Sequence, residues 1–173
     1  TKIVFAYGDN AGGVYDIFVL DLTDGSDPVQ ISPTESPVNL SADRPTWSPD
    51  GTTIVYEQQT AAGSADRFLR RQSTSDLVPP INPAGISDLT APGAPFEGKP
   101  AWSPDSSTVY FHRNDPSTVA NSDIYRMPAG GGTQTLAITD SGISEAQPAI
   151  SPDGTQICYT TANGGFNSST DVL

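Results

Sequence analysis

The chain has 173 residues, and its 16 glycines and 16 prolines punctuate it too densely for long helices. Its 20 acidic side chains outnumber 8 basic ones, a net charge of -12 that repels phosphate backbones; the only basic cluster, Arg67, Arg70 and Arg71, is too small for a nucleic-acid stripe. No apolar run of about 18 residues and no signal-peptide pattern occurs, so no membrane span is expected, and the single cysteine excludes an internal disulfide.

Short apolar runs bounded by turn residues predict an all-β chain. Lys2 to Ala6 reads as a first strand, Asp16 to Leu20 as a second and Pro28 to Ser32 as a third, the last two joined by the Asp24-Gly25 turn. Pro45-Thr46-Trp47 opens a hairpin. Ser48-Pro49-Asp50-Gly51 is its tight turn, with proline presetting φ and glycine free to take positive φ, and Thr53 to Tyr56 is the returning strand. Arg67 to Arg70 is the next strand. Ser73 to Pro95 is then a long insertion rich in Pro, Ala, Gly and Asp, of the kind that is functional or disordered.

The same order returns twice. Pro100-Ala101-Trp102, Ser103-Pro104-Asp105-Ser106 and Thr108 to Phe111 form the second hairpin, followed by Asp123 to Met127, the turn Gly130-Gly131-Gly132 and Gln134 to Thr139. Ser106 replaces the turn glycine, so this turn is expected to be strained or of another type. Pro148-Ala149-Ile150, Ser151-Pro152-Asp153-Gly154 and Gln156 to Tyr159 form the third hairpin, and Asp171-Val172-Leu173 opens a further strand. Cys158 is expected to be a small buried side chain of that hairpin.

The leading prolines, at 45, 100 and 148, lie 55 and 48 residues apart, close to the roughly 40 to 50 residues of a propeller blade. Four antiparallel strands per unit make such a blade, with strands A to D running outward from the hub. The phase predicts B-C-D, two full blades, then A-B-C, about fourteen strands in an incomplete β-propeller of three to four blades. Its divisions are 1–44 (an incomplete first blade plus linker), 45–99, 100–147 and 148–173. A closed ring of about six to eight blades needs more strands. The chain therefore reads either as a piece of a larger propeller or as a partial ring that closes on other copies through unpaired edges.

Pro-x-Trp-Ser-Pro-Asp-Gly, the hydrophobic strand after it, Asp123-Ile124-Tyr125, the glycine turn and Leu136-Ala137-Ile138-Thr139 resemble the TolB-like, WD-repeat-like propeller family. They also look like the propellers of prolyl-oligopeptidase-type peptidases. The first resemblance implies a protein-binding module of the bacterial periplasm or extracellular space. The second implies a gating propeller whose chemistry lies in a separate serine-hydrolase domain. Blades of this kind are reused widely, so the resemblance speaks to fold more than to function.

The residues themselves point away from catalysis. No Gly-x-Ser-x-Gly elbow occurs. The single histidine, His112, falls just after strand B of the second full blade with no nucleophile motif beside it. Gly130-Gly131-Gly132 is not followed by Lys-Ser or Lys-Thr, so it is a hairpin and not a phosphate loop. Asp21, Asp24 and Asp27 surround one turn and Asp9-Asn10 another. Such oxygens can hold calcium, but the spacing fits no EF-hand, and turn chemistry with no cofactor is the reading.

The candidate site follows from propeller geometry. Loops leading into the A strands sit at the mouth of the central channel, and they carry Asp43 and Arg44, Glu97 and Lys99, then Glu145 and Gln147. A ring of alternating charge there would hold a protein or peptide partner, with Arg44 the best single anchor.

Overall fold

The computed structural model describes residues 1–8, 14–33, 40–61, 64–77, 85–93, 95–114, 121–138, 143–161 and 166–169. Four antiparallel sheets follow one another along the chain. The first holds β1 (Lys2–Gly8), β2 (Tyr15–Asp21) and β3 (Val29–Gln30). The second holds β4 (Ala42–Trp47), β5 (Thr53–Gln59), β6 (Arg67–Ser73) and β7 (Ile86–Asp88). The third holds β8 (Glu97–Trp102), β9 (Thr108–Asn114), β10 (Ser122–Pro128) and β11 (Thr135–Ile138), and the fourth β12 (Glu145–Ile150), β13 (Ile157–Thr161) and β14 (Phe166–Ser169). Each sheet is one blade, paired in sequence order, and the chain is part of a β-propeller.

The period of two along each strand builds the core between blades. Ile54 and Tyr56 of β5 face the first blade, where they meet Ile17, Val19 and Ile31. Val55, on the other side of the same strand, meets Trp102, Val109, Phe111 and Met127 of the third blade. Tyr110 and Ile124 of the third blade then pack on Ile157 and Tyr159 of the fourth. The second strands of the two middle blades, β5 and β9, are thus covered on both faces, which is why they read as unbroken apolar runs.

The three Ser-Pro-Asp turns are built alike. Asp50 accepts hydrogen bonds from the Ser48 hydroxyl at 2.6 Å and the Thr52 N–H at 2.9 Å, and Asp153 does the same with Ser151 and Thr155. Ser106 does not change the turn type. It takes φ of 62°, close to the 74° and 73° of Gly51 and Gly154. Its hydroxyl accepts the Asp50 N–H of the preceding blade at 3.0 Å, a contact that offsets the left-handed backbone.

Three expectations are corrected. The Ser73 to Pro95 segment is not wholly an insertion, because β7 lies inside it and pairs Arg70 with Asp88. A 3-10 turn at Thr74–Asp76 precedes it and leads to Leu77, which is buried against the first blade. The third strand of the last blade is β14, with Thr160 opposite Phe166, and residues 171–173 lie outside the described residues. Cys158 is exposed, not buried. Its neighbours Ile157 and Tyr159 turn inward to the third blade, so alternation turns Cys158 to the opposite face of the sheet.

Candidate functional site: the hub mouth

Strands β4, β8 and β12 are the inner strands of three successive blades, and β8 lies between the other two. Each carries one β-bulge, interrupting its ladder between Asp43 and Thr46, Gly98 and Ala101, and Ala146 and Ala149. The sequence forces this. Pro45, Pro100 and Pro148 have no N–H to give to a ladder, and a bulge is where a strand tolerates proline. The residue before each proline takes up the distortion: Arg44, Lys99 and Gln147 have φ of 49°, 51° and 57°. Non-glycine residues seldom adopt this left-handed region, and repeated strain of this kind gathers at functional sites.

The bulges bring these three residues together. Arg44, Lys99 and Gln147, with Pro45, Pro100 and Pro148 behind them and Thr46 beside them, line one open depression of about 340 Å³ at the hub. They lie in the inner strands themselves and not in loops before them.

The acids of the expected ring are arranged differently. Asp43 is partly exposed, accepts the Arg44 N–H at 2.7 Å and lies 3.8 Å from its guanidinium. Glu97 and Glu145 are fully buried. Glu97 lies 3.7 Å from Arg113 Nε, and burial pushes its carboxyl above the usual range. The backbone carbonyl of Glu145 accepts the Ser122 hydroxyl at 2.8 Å. In the repeat, Glu97 and Glu145 match Ala42 and not Asp43. A shift of one residue along a strand turns a side chain to the other face.

A residue that the sequence reading passed over organises the mouth. Glu57 of β5 is fully buried. Its carboxylate accepts the Arg44 guanidinium at 2.9 Å and, across the blade boundary, the backbone N–H of Lys99 at 2.6 Å. Burial raises its pKa, and those two donors pull the other way. Gly98 makes the approach possible: a Cβ there would sit 2.7 Å from Glu57 Oε1. The signal in the sequence is a lone acid directly after the apolar run Ile54-Val55-Tyr56. Lys99 is held below the usual lysine range by burial and by repulsion from Arg44, with Glu57 opposing.

His112 is the repeat counterpart of Glu57. It lies within β9, paired across the ladder with Gly98, and not after the strand. It is buried, stacks on Phe96 at 5.0 Å, and its Nδ1 meets no hydrogen-bond partner. Burial first, then Lys99 and Arg44, push its pKa down to about 3.

The turn acids serve their own turns. Asp21 accepts the Thr23 N–H at 2.9 Å, and Asp24 the Ser26 N–H at 2.9 Å. Among the described residues no group of three or more His, Cys, Asp or Glu side chains is placed to hold a metal. Asp9 and Asn10 lie outside the described residues.

No family model matches the sequence. Over 160 residues the chain is 29% identical to the Tol-Pal system protein TolB of Bordetella pertussis, an alignment covering 92% of this chain and 32% of that protein. Its fold matches that of a protein assigned as TolB in Agrobacterium tumefaciens with a TM-score of 0.64 at 22% identity, over 98% of this chain and 52% of the other. These are TolB-like propeller blades. The fold recurs in a prolyl endopeptidase structure, with a TM-score of 0.66 at 14% identity over 96% of the TolB-like chain and 28% of the peptidase. The TolB-like chain spans about a third of the length of its Bordetella relative.

Proposed function

We propose that this chain is a non-catalytic binding scaffold of the bacterial cell envelope, periplasmic or extracellular, that docks a protein or peptide partner on the hub mouth. The observation that carries the proposal is the repeated strain at Arg44, Lys99 and Gln147, three residues from three blades that line one depression. Strain of this kind persists only where the surroundings over-determine it. Arg44, Lys99 and Gln147 are the contact residues. Asp43 orients Arg44, while Glu97 and Glu145 act from beneath as buried supports. The Tol-Pal membership of the Bordetella relative supports an envelope setting.

A photo-reactive side chain at Gln147 tests this in an extract of the native envelope. The expected result is a discrete protein adduct from position 147 and none from Thr155, at the far end of the same hairpin. Adducts of equal yield from both positions, or from neither, refute the docking site.

The likeness to prolyl endopeptidases supports a second reading, in which the chain is the gating propeller of a larger serine peptidase. That reading requires a Gly-x-Ser-x-Gly segment elsewhere in the same polypeptide. A full-length gene without one excludes it.

A further inference from the structure

Resting on the hub mouth as a docking site, we infer that its ligand is an acidic side chain, an Asp or Glu within an extended peptide, held between the Lys99 ammonium and the Arg44 guanidinium. Lys99 has no carboxylate oxygen within 4.0 Å of its ammonium among the described residues, and Arg44 keeps 47% of its side chain exposed while bonding Glu57. The nearby acids are withdrawn. Glu57, Glu97 and Glu145 are fully buried, and only Asp43 reaches the surface. Two cations of different blades therefore line one open depression in a chain whose overall charge is strongly negative. Arg44 disfavours the charged form of Lys99 more than Glu57 favours it, and an incoming carboxylate would relieve that repulsion.

The backbone selects an internal acid over a chain terminus. Capture of a terminal carboxylate relies on clustered free N–H groups. Here the Lys99 N–H is bound to Glu57 and the Arg44 N–H to Asp43. Pro45, Pro100 and Pro148 have none and instead offer an apolar floor to the flanking peptide. What the two cationic positions still offer is side-chain charge, an Arg fork and a Lys point charge, which a carboxylate on a flexible stem can meet together.

The test uses short fluorescein-labelled peptides with blocked termini, identical except for a central Glu, Gln or Lys, and a fourth with central Gln and a free carboxyl terminus. Each is titrated with the 173-residue chain and followed by anisotropy. The Glu peptide is expected to bind about tenfold more tightly than the Gln peptide at low salt, a gap that narrows at about 0.5 M salt. Lys99→Met should close the gap without changing the melting curve. Equal binding of the Glu and Gln peptides, tighter binding of the free-terminus peptide, or a gap that survives Lys99→Met overturns the inference. If Gln147→Trp still abolishes such unselective binding, the docking site stands without the acidic ligand. If Gln147→Trp changes nothing, or if no peptide binds, the docking site falls as well.

Discussion

Glu57 and His112 occupy one position of the repeat and answer burial in opposite ways. Glu57 stays a hydrogen-bond acceptor because two donors reach it from different blades. Glu57→Ala leaves the partly buried Lys99 N–H without its partner. Arg44, half exposed, can rehydrate, so the loss belongs at the lower end for broken buried pairs, about 2–3 kcal/mol by urea unfolding. A loss below about 1 kcal/mol would show that the clamp adds little. His112 is held neutral, with its pKa down at about 3. A depressed pKa gives stability that is present above the unfolded value near 6.5 and is lost as pH falls through the folded value. Lys99 and Arg44 are the cations that oppose its protonation. Between pH 7 and pH 4 this group alone should cost on the order of 3 kcal/mol. His112→Gln should flatten that part of the pH profile of the melting temperature. An unchanged profile would mean that the site opens to water.

At the scale of the element, the inner-strand bulge joins sequence to site. Proline removes a ladder donor, the strand bulges, and the preceding residue is turned into the left-handed region toward the hub. Gln147→Gly removes the Cβ clash there and should raise stability by about 0.5–1 kcal/mol while weakening partner capture. A destabilised variant would show that the backbone at 147 is not strained. The same element shows what was legible in the sequence. The three prolines and the Ser-Pro-Asp turns set the blade phase, so position alone puts Arg44, Lys99 and Gln147 at one place of the repeat. Glu97 and Glu145 are close to those residues in sequence, but they stand one place off Asp43, and in a strand one place is the opposite face. Glu57 was hidden because its role needs a residue of the next blade, 42 positions away. Strands β7 and β14 are short and polar, and pairing with β6 and β13 holds them where composition gives no signal.

Over the whole molecule, each blade is stabilised by the next. Val55 and Tyr110 are buried by the blade that follows theirs, whereas their repeat counterpart Cys158 is exposed. Among the described residues no sheet stacks over that face of β12, β13 and β14. In native buffer Cys158 should therefore take up one thiol-reactive label per chain without denaturant. Labelling that waits for unfolding would show the face to be covered, as closure with other copies of the chain would cover it. The central claim concerns the opposite dimension, along the hub: one end of the inner strands docks a partner and the other does not. Hydrogen–deuterium exchange of the chain, alone and with the partner captured at Gln147, tests this most directly. The account predicts added protection in segments 42–47, 97–102 and 145–150, with segments 48–53, 103–108 and 151–156 unchanged. Protection confined to the turn segments, or absent from all six, would contradict it.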